Sequence, residues 1–445
     1  MRSHSLPKEH KIIQSTGSSD SGITVKYIYS ACIVTSSRDV TILHDPWFSE
    51  GIYDGSWFHF PVVPDPIKLI GDVDLIYVSH VHPDHYDPLF LRKYFAVHGA
   101  KEIIIADHQP NHLAGKMRAD GFNPTILKDV HKIGSTVIQI IPHRTGSISD
   151  IDSAIIVDYF DGTREHSVAN ANDVIFDDEM IGVMKENAYA ADVLLCGYTG
   201  AGPFPQTYFD LADPQLPREA EKKKQAFFER YLRLVAALNP KVTVPFAGQY
   251  LLGGKLTRLN SYRGVADPTE ILAIDKSAVV LADQGGEIST STLQPTRVRV
   301  TAYSKADMNN RELEISGYKF DYERLISASE IYQLPLRRLL MSAARKATEK
   351  SECTDDYYFV INLPGGNLAI INAKSKADQL IEFSNPSNQL PEPRSEIIID
   401  ARYLFGLLTG IYHWNNAEVG SQYETRRYPN VFNRKAQAFL NYLVI

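Results

Sequence analysis

His80-Val81-His82-Pro83-Asp84-His85 is the stretch from which the fold of this chain can be inferred. It follows an apolar run at residues 75–78 and leads into a segment that opens like a helix at Asp87-Pro88. Alternate residues of an extended chain point the same way, so His80 and His82 can hold one metal ion together. Asp84 and His85 lie in the next turn and can hold a second ion. This spacing predicts a metal site at the end of a buried strand.

The same stretch resembles the metal-binding motif of the metallo-β-lactamase superfamily, in which the pattern His-x-His-x-Asp-His follows a buried strand. The resemblance implies an α/β fold, an αββα sandwich of two mixed sheets flanked by helices. It further implies that His143, at the end of an apolar run over residues 136–142, joins His80 and His82 on the first metal. Three neutral imidazoles and one solvent molecule make an open catalytic coordination sphere.

For the second metal the resemblance implies Asp84, His85 and a carboxylate that bridges both ions. Asp173 is the candidate for the bridge, and Asp45 matches an early aspartate of the family that supports the ligand loop by hydrogen bonds without ligating. A plain turn residue is the alternative for Asp45. We assign catalytic roles to Asp84 and Asp45, with Asp84 both ligating and accepting a proton. The competitors of Asp173 in the sequence are Asp177 and Asp178.

One histidine that the superfamily usually supplies after a late strand is missing. The sequence has no histidine between His166 and His413, and residues 244–250 read Val-Pro-Phe-Ala-Gly-Gln-Tyr. Three outcomes are open: a site for one metal, a two-metal site completed by water or substrate, or a site completed by His413. Because His413 lies in a polar stretch next to aromatic residues, we expect this part of the chain to cover the mouth of the active site. A structural role is the alternative for His413.

The missing late histidine limits the resemblance to a smaller group within the superfamily. Four further segments are similar to the metallo-β-lactamase-like part of the CMP-N-acetylneuraminate hydroxylase family, over most of residues 21–430. The hydroxylases add a Rieske domain, in which two cysteines and two histidines hold an iron-sulfur cluster. None of the three cysteines here has a histidine within three residues, so an oxygenase would need a redox partner. The four segments are Asn170-Ala171-Asn172-Asp173, the loop at residues 197–205, Pro245-Phe246-Ala247-Gly248 and His413-Trp414-Asn415-Asn416.

Composition places the chain among ordinary globular proteins. Of its 445 residues 44% are hydrophobic and 22% are charged, and the net charge of -7 comes without a long acidic or basic block. Nothing therefore indicates a nucleic-acid partner, and no apolar run reaches the roughly 18 residues of a membrane span. Residues 1–21 are predicted to be a disordered polar tail and not a signal peptide. Cys32, Cys196 and Cys353 are widely spaced, which favours buried thiols in the cytoplasm.

The length predicts more than one domain. We expect a metallo-β-lactamase-fold domain over residues 22–290 and place the boundary in residues 284–295, which are rich in Gly, Ser, Thr and Gln. Residues 296–445 contain a helical stripe, a hairpin around Pro364-Gly365-Gly366 and a strand that leads into a helix. These elements predict a C-terminal α+β domain, which distantly resembles a sterol-carrier-like domain.

The metal site indicates enzyme chemistry of one of two kinds. Zinc on His80, His82 and His143 would lower the pKa of its water to about 7, which favours a hydrolase with one or two Zn²⁺ ions. Iron at the same mixed site could instead activate oxygen, as in a diiron oxygenase with an external electron donor. A third class, a sensor or scaffold that binds metal without catalysis, is supported only by the missing late histidine. Hydrolysis is our first prediction.

Cations after the late strands indicate an anionic small-molecule substrate, such as a nucleotide-linked sugar. Gly253-Gly254 precedes Lys255, Arg258 and Arg263, for which a solvated surface loop is the alternative. Arg144, next to His143, is the cation most expected near the metal. The glycine-rich loop that begins at Gly197 adds Tyr198 as a candidate for contact with the substrate.

Overall fold

The computed structural model describes residues 21–144, 151–187, 191–377, 379–385 and 389–445. The predicted polar tail therefore lies, apart from Ser21, outside the described residues. Within these ranges no helix combines the length and the apolar character that crossing a bilayer requires.

Two mixed β-sheets pack face to face and form the body of the chain. Within the described residues the first sheet has eight strands, the second has six, and a two-stranded ribbon lies apart from them. Numbered in chain order, these strands are β1 (Thr24–Tyr29), β2 (Cys32–Ser36), β3 (Thr41–His44), β4 (Trp57–Phe58), β5 (Leu75–Tyr77), β6 (Glu102–Ala106), β7 (Thr125–Leu127), β8 (His131–Ile133), β9 (Thr136–Pro142), β10 (Ser153–Phe160), β11 (Glu165–Asn170), β12 (Val193–Gly197), β13 (Val242–Phe246), β14 (Leu251–Leu252), β15 (Gly286–Ser289) and β16 (Pro295–Thr296).

Each sheet of the sandwich is part antiparallel and part parallel. The first has the order β16-β15-β1-β2-β3-β5-β6-β7, antiparallel from β16 to β3 and parallel from β3 to β7. The second has the order β13-β12-β11-β10-β9-β8, parallel from β13 to β11 and antiparallel beyond. The core between the sheets includes Ile42 and Tyr77 of the first and Ile155 and Val193 of the second.

Helices cover both outer faces of the sandwich. Phe90 and Tyr94 belong to the apolar cluster on the first sheet, and Tyr231 and Leu234 to the cluster on the second. The apolar residues of the longest helix recur every three or four positions, so one face of it is buried. The predicted αββα sandwich is confirmed. The helices on the first sheet are Pro66–Ile70, Pro88–His98 and His112–Ala119, and those on the second are Asp178–Asn187 and Leu216–Leu238.

The C-terminal part combines a mixed sheet with helices, so it is α+β. The order of its strands is β19-β18-β17-β20-β21, and only the pair β17 and β20 is parallel among those described. The resemblance to a sterol-carrier-like domain stays a prediction. Its strands are β17 (Tyr358–Asn362), β18 (Leu368–Asn372), β19 (Ile381–Ser384), β20 (Arg394–Ile399) and β21 (Tyr423–Tyr428), and the helices of residues 296–445 are Lys305–Ser316, Asp321–Leu325, Leu336–Thr348, Ala401–Leu408, Trp414–Val419 and Arg434–Leu440.

A shared hydrophobic core joins the C-terminal part to the sandwich. Trp57 and Tyr250 of the sandwich side lie in the same buried cluster as Leu340 and Tyr403 of the C-terminal part. Trp57 and Tyr250 stack with ring centroids 3.5 Å apart and an interplanar angle of 9°. Apolar area removed from water contributes about 25 cal/mol per Å². Burial of these large rings therefore stabilises the docking of the C-terminal part.

The stretch expected to be a linker contains strands of the first sheet. β15 (Gly286–Ser289) pairs with β1, and β16 (Pro295–Thr296) pairs with β15, so residues 284–296 form an edge hairpin. A Cβ atom on Gly286 would lie 2.5 Å from the backbone nitrogen of Ala282. Glycine is therefore required here by close packing of two backbone segments, and composition alone cannot distinguish that role from flexibility. The division into two domains stays a prediction.

Candidate metal centre

The candidate ligands follow the ends of strands at one edge of the sandwich. His80 follows β5 (Leu75–Tyr77) and His143 follows β9 (Thr136–Pro142) directly. Asp173 follows β11 (Glu165–Asn170), and Asp45 follows β3 (Thr41–His44). Because β3 and β5 are parallel neighbours, Asp45 and the motif after β5 come together at that edge.

Ring nitrogens and carboxylates converge at this edge. The Nε2 atom of His80 lies 2.9 Å from Nδ1 of His82. The Nε2 atom of His85 lies 3.4 Å from an oxygen of Asp84 and 3.4 Å from an oxygen of Asp173. Ligand atoms of His80, His85 and Asp173 all lie within 4.8 Å of one another. One residue that we assigned to the first metal, His80, therefore lies beside two that we assigned to the second, His85 and Asp173.

These separations suit a metal centre. Two ligand atoms that bind one ion, each about 2.1 Å from it, lie about 3.0 to 3.4 Å apart. The distance from the His80 nitrogen to the His82 nitrogen, 2.9 Å, is close to this range. The distances from Nε2 of His85 to the oxygens of Asp84 and Asp173, both 3.4 Å, lie within it. His143 is buried at 6% exposure, and its backbone nitrogen donates to the carbonyl of Asp152. It lies outside the set of three residues whose ligand atoms are mutually within 4.8 Å among the described residues.

The electrostatics divide the centre into a neutral side and an anionic side. Burial, together with neighbouring imidazoles, lowers the pKa of His80 well below its usual range, and burial lowers that of His82. Burial alone would raise the pKa of Asp84, but His85 and His82 lower it. Burial would likewise lower the pKa of His85, but Asp84, Asp173 and Asp45 raise it well above its usual range. Metal ions require neutral imidazoles and ionised carboxylates as ligands, so His80, His82 and Asp84 are already in suitable protonation states, whereas His85 would have to release a proton when a metal binds.

Asp45 makes the supporting hydrogen bonds that the resemblance implied. Its Oδ1 accepts from the backbone nitrogen of Ser79 at 2.7 Å, and its Oδ2 accepts from the Ser79 hydroxyl at 2.7 Å. The same Oδ2 lies 2.9 Å from Nδ1 of His85. Asp45 is fully buried with a left-handed φ of 42°, which is unusual for a residue other than glycine. It orients His85 so that Nε2 faces Asp84 and Asp173.

Asp152 and His108 are polar groups at the centre that the sequence analysis missed. An oxygen of Asp152 lies 3.4 Å from Nδ1 of His80, and burial followed by the charge of Asp173 raises the pKa of Asp152 to about 7. His108 is buried two residues beyond β6 and contributes to the lowered pKa of His80. Asp152 could have been found from the register, since the strand after His143 returns antiparallel and places Asp152 opposite it.

Tyr53 reaches the centre from a strained turn. Its hydroxyl donates to Oδ1 of Asp84 at 2.5 Å. Tyr53 and Asp54 have left-handed φ values of 52° and 61°, which cost free energy in residues other than glycine. The side-chain amide of Gln422 donates to the carbonyl of Asp54 at 3.1 Å and to the hydroxyl of Ser56 at 2.8 Å. The C-terminal part therefore holds the turn that presents Tyr53 to Asp84.

The C-terminal part also contacts the metal motif directly, as expected for a segment that covers the mouth. Oδ1 of Asn415 lies 3.1 Å from Nε2 of His82. His413 instead uses Nδ1 to accept from the backbone nitrogen of Asn415, and so caps the helix Trp414–Val419. Burial and the nearby His82 lower the pKa of His413. The residue of this segment that touches a candidate ligand is therefore Asn415, and the helix cap is a structural role of the kind that was the alternative for His413.

Two of the cations expected to bind substrate have acidic partners on the C-terminal part. The Nζ atom of Lys255 lies 3.1 Å from an oxygen of Asp400 and 3.1 Å from an oxygen of Glu323. Arg258 lies 2.7 Å from Glu424. These ion pairs join the sandwich to the C-terminal part, and the role of both cations in substrate binding stays a prediction.

The remaining substrate candidates differ in exposure. Arg263 is 4% exposed, donates to the carbonyl of Tyr250 at 2.6 Å and stacks its guanidinium 4.1 Å from that ring. Tyr198 is also buried, at 2% exposure. Arg144 is exposed next to His143, and it donates to the carbonyl of Asp107 at 3.1 Å. Only Arg144 of these three is open to an incoming anion in the described structure.

The competitors of Asp173 have other roles. An oxygen of Asp177 accepts from the backbone nitrogen of Met180 at 2.8 Å and so caps a helix. Asp178 forms an exposed ion pair with Arg233. Of the three carboxylates considered for the bridge, the structure brings Asp173 to His85.

Comparison with known sequences places the chain next to iron-sulfur proteins and hydroxylases. No family model matches the chain. It is 31% identical over 257 residues to a putative Rieske 2Fe-2S iron-sulfur protein of Mycolicibacterium smegmatis, covering 54% of this chain and 46% of that protein. It is 22% identical over 243 residues to the cytidine monophosphate-N-acetylneuraminic acid hydroxylase of Danio rerio, covering 51% of this chain and 38% of that protein. The chain spans less than half the length of these relatives.

The solved structures similar to this chain include a hydrolase and a diiron hydroxylase. An isothiocyanate hydrolase from Delia radicum gut bacteria has a TM-score of 0.40 at 17% identity, covering 60% of this chain and 98% of that chain. The diiron β-hydroxylase CmlA from Streptomyces venezuelae has a TM-score of 0.38 at 17% identity, covering 62% of this chain and 54% of that chain. The αββα sandwich and the sequence match to the hydroxylases confirm the predicted resemblance to the metallo-β-lactamase superfamily.

Proposed function

We propose that this chain is a metal-dependent hydrolase that acts on an anionic small molecule, with nucleotide-linked sugars as the substrate class that we favour. The observation that carries the proposal is the convergence of His80, His82, Asp84, His85 and Asp173 at one edge of the sandwich. His80, His82 and His143 would hold one zinc ion, and Asp84, His85 and Asp173 a second. When bound, such ions supply hydroxide at neutral pH, because they lower the pKa of water to about 7.

The chain's own groups prepare Asp84 for proton transfer. Tyr53 donates to one oxygen of Asp84, and the other oxygen lies 3.4 Å from Nε2 of His85. Asp45 in turn holds the opposite nitrogen of His85. Each oxygen of the Asp84 carboxylate therefore has a neighbour that fixes its position before substrate binds. A general base or a metal ligand requires such a fixed position.

An anionic substrate is supported by the position of Arg144. Its side chain is exposed, and in the sequence it directly follows His143, which we assign to the first metal position. A guanidinium binds a carboxylate or phosphate in two-point fashion. Lys255 and Arg258 would contribute only if substrate displaced their acidic partners.

Oxygenase chemistry is the second candidate. It is favoured by the names of two relatives, a Rieske iron-sulfur protein and a hydroxylase. With iron bound, the same ligands would supply oxygen activation. The electrons would have to come from outside these 445 residues, because none of Cys32, Cys196 and Cys353 has a histidine within three residues. An electron-transfer partner is therefore part of this second proposal.

Metal analysis of the purified protein is the first test. We expect near-stoichiometric zinc, release of p-nitrophenol from bis(p-nitrophenyl) phosphate, loss of this activity on chelation and its recovery with zinc. Near-stoichiometric iron, together with consumption of oxygen when a chemical reductant supplies electrons, would instead support the oxygenase. Protein that retains neither metal after reconstitution would contradict both.

Tyr53→Phe should lower turnover while metal content stays at the wild-type level. The substitution removes only the hydroxyl that donates to Asp84. A hydrogen bond to a charged group contributes about 1.5 to 3 kcal/mol, so turnover should fall roughly ten- to a hundredfold. Tyr208→Phe is the control, since it removes a hydroxyl that donates to Glu418 at 3.3 Å. Equal turnover in the two variants would remove Tyr53 from the proposed site.

A further inference from the structure

Asn415 lies 333 residues from His82 in sequence, yet their side chains are in hydrogen-bond contact at 3.1 Å. We infer that Asn415 is a positioning residue, which fixes the ring orientation and the tautomer of His82 for metal binding. The inference rests on the proposed metal centre. It makes the C-terminal part a component of that centre and not only a neighbour of it.

The contact determines which nitrogen of His82 is available to a metal. The side-chain oxygen of Asn415 can only accept, so Nε2 of a neutral His82 must carry the hydrogen. The lone pair is then on Nδ1, which lies 2.9 Å from Nε2 of His80. Metal-binding histidines usually donate their other N–H to such an acceptor, which fixes the tautomer and the ring orientation. The two nitrogens that face each other are thus presented together to one ion.

The helix that carries Asn415 is held on both of its flanks. Trp414 is 2% exposed and donates its ring N–H to the carbonyl of Leu443 at 3.0 Å. Ala417, one turn on, is fully buried. Gln422, just after the helix, is 5% exposed and bonds the turn around Ser56. Asn415 is therefore presented by an anchored element, so its oxygen has a defined position against His82.

The other candidate for this role is weaker. His413 lies two residues earlier, but its Nδ1 accepts from the backbone nitrogen of Asn415 and caps the helix. That bond orients the start of the helix and so supports Asn415. The structure thus assigns the direct contact with His82 to an amide and the support of that amide to His413.

The test compares Asn415→Leu with Asn415→Asp. Leucine has a similar size but no acceptor, whereas aspartate keeps an acceptor oxygen at the same distance along the side chain. Metal affinity is measured by competition with a chelator, using Co²⁺ and Zn²⁺ as probes, and the visible spectrum of the Co²⁺ protein reports the coordination. Asn416→Leu, on the same helix and half-buried, is the matched control. The melting temperature of the metal-free protein reports docking of the C-terminal part.

We expect Asn415→Leu to bind metal roughly 10- to 100-fold more weakly, which is the usual cost of losing such a supporting partner, and to alter the Co²⁺ spectrum. Asn415→Asp should bind metal at least as tightly as the wild type, because it keeps the acceptor and adds a negative charge, and Asn416→Leu should bind metal and absorb like the wild type. Wild-type affinity and spectrum in Asn415→Leu would overturn the inference while leaving the proposed function intact. A loss shared by all three variants, with a lower melting temperature, would also overturn it. If the wild type itself binds neither metal, the proposed function fails first.

Discussion

His82→Ala is expected to abolish activity and to lower the metal content of the protein. Nδ1 of His82 faces Nε2 of His80 at 2.9 Å, so the substitution removes one of the three imidazoles that we assign to the first ion. Loss of a residue that merely supports a ligand costs roughly 10- to 100-fold in affinity, so loss of the ligand should cost more than about a hundredfold. Elemental analysis and chelator competition measure this directly.

His166→Ala is the control for His82→Ala. His166 is also buried, and its ring lies 3.0 Å from an oxygen of Asp161 and 2.9 Å from the hydroxyl of Thr290. Its removal should lower thermal stability without lowering metal content. Full metal occupancy and unchanged turnover in His82→Ala would contradict the assignment of His82 as a metal ligand.

Asp84→Asn should lower turnover roughly a hundred- to ten-thousandfold while the protein stays folded. The change keeps the shape of the side chain but removes the charge that faces His85 and the ability to accept a proton. That range is the contribution of a positioned acid or base. Steady-state kinetics on an activated ester gives the turnover, and circular dichroism gives the fold. Because the pKa of Asp84 is lowered mainly by His85, after the opposing effect of burial, the group is ionised at neutral pH in the wild type.

Asp275→Asn is the matched control for Asp84→Asn. Asp275 is also a buried carboxylate, and it accepts from Tyr231 at 2.8 Å and from the Thr243 hydroxyl at 2.5 Å. Its neutralisation should reduce stability and leave turnover close to the wild-type rate. Wild-type turnover in Asp84→Asn would reject the role of Asp84, whatever the control does.

Charges near the late strands illustrate a limit of reasoning from the sequence. Lys255, Arg258 and Arg263 have the spacing of an anion-binding loop, but the structure gives each of them a partner within the protein. Two of those partners, Asp400 and Glu424, come from the C-terminal part. A charge run has the same appearance in a sequence whether it meets substrate, solvent or another domain.

Local spacing was enough to predict a metal site at a strand end, and the resemblance of that motif to the metallo-β-lactamase superfamily predicted the sandwich. His80, His82, Asp84 and His85 lie within six residues just after an apolar strand, so they stay near that strand end whatever the rest of the chain does. Alternation along an extended chain was expected to bring His80 and His82 together, but in the structure the chain turns over residues 81–85. Asp45 and Asp173 were named from the family resemblance, and the parallel pairing of β3 with β5 is the physical reason why Asp45 lies at the same edge as the motif.

Only the tertiary structure decided which groups complete that centre. Tyr53 reaches Asp84 from a left-handed turn, and Asn415 contacts His82 from the C-terminal part. Asp152, which precedes β10 of the second sheet, approaches His80 of the first. Each of these contacts depends on how separate elements dock, although the register after His143 could have pointed to Asp152. Docking depends on buried apolar area summed over many side chains, such as the stacked Trp57 and Tyr250, and that sum is not encoded at any single position of the sequence.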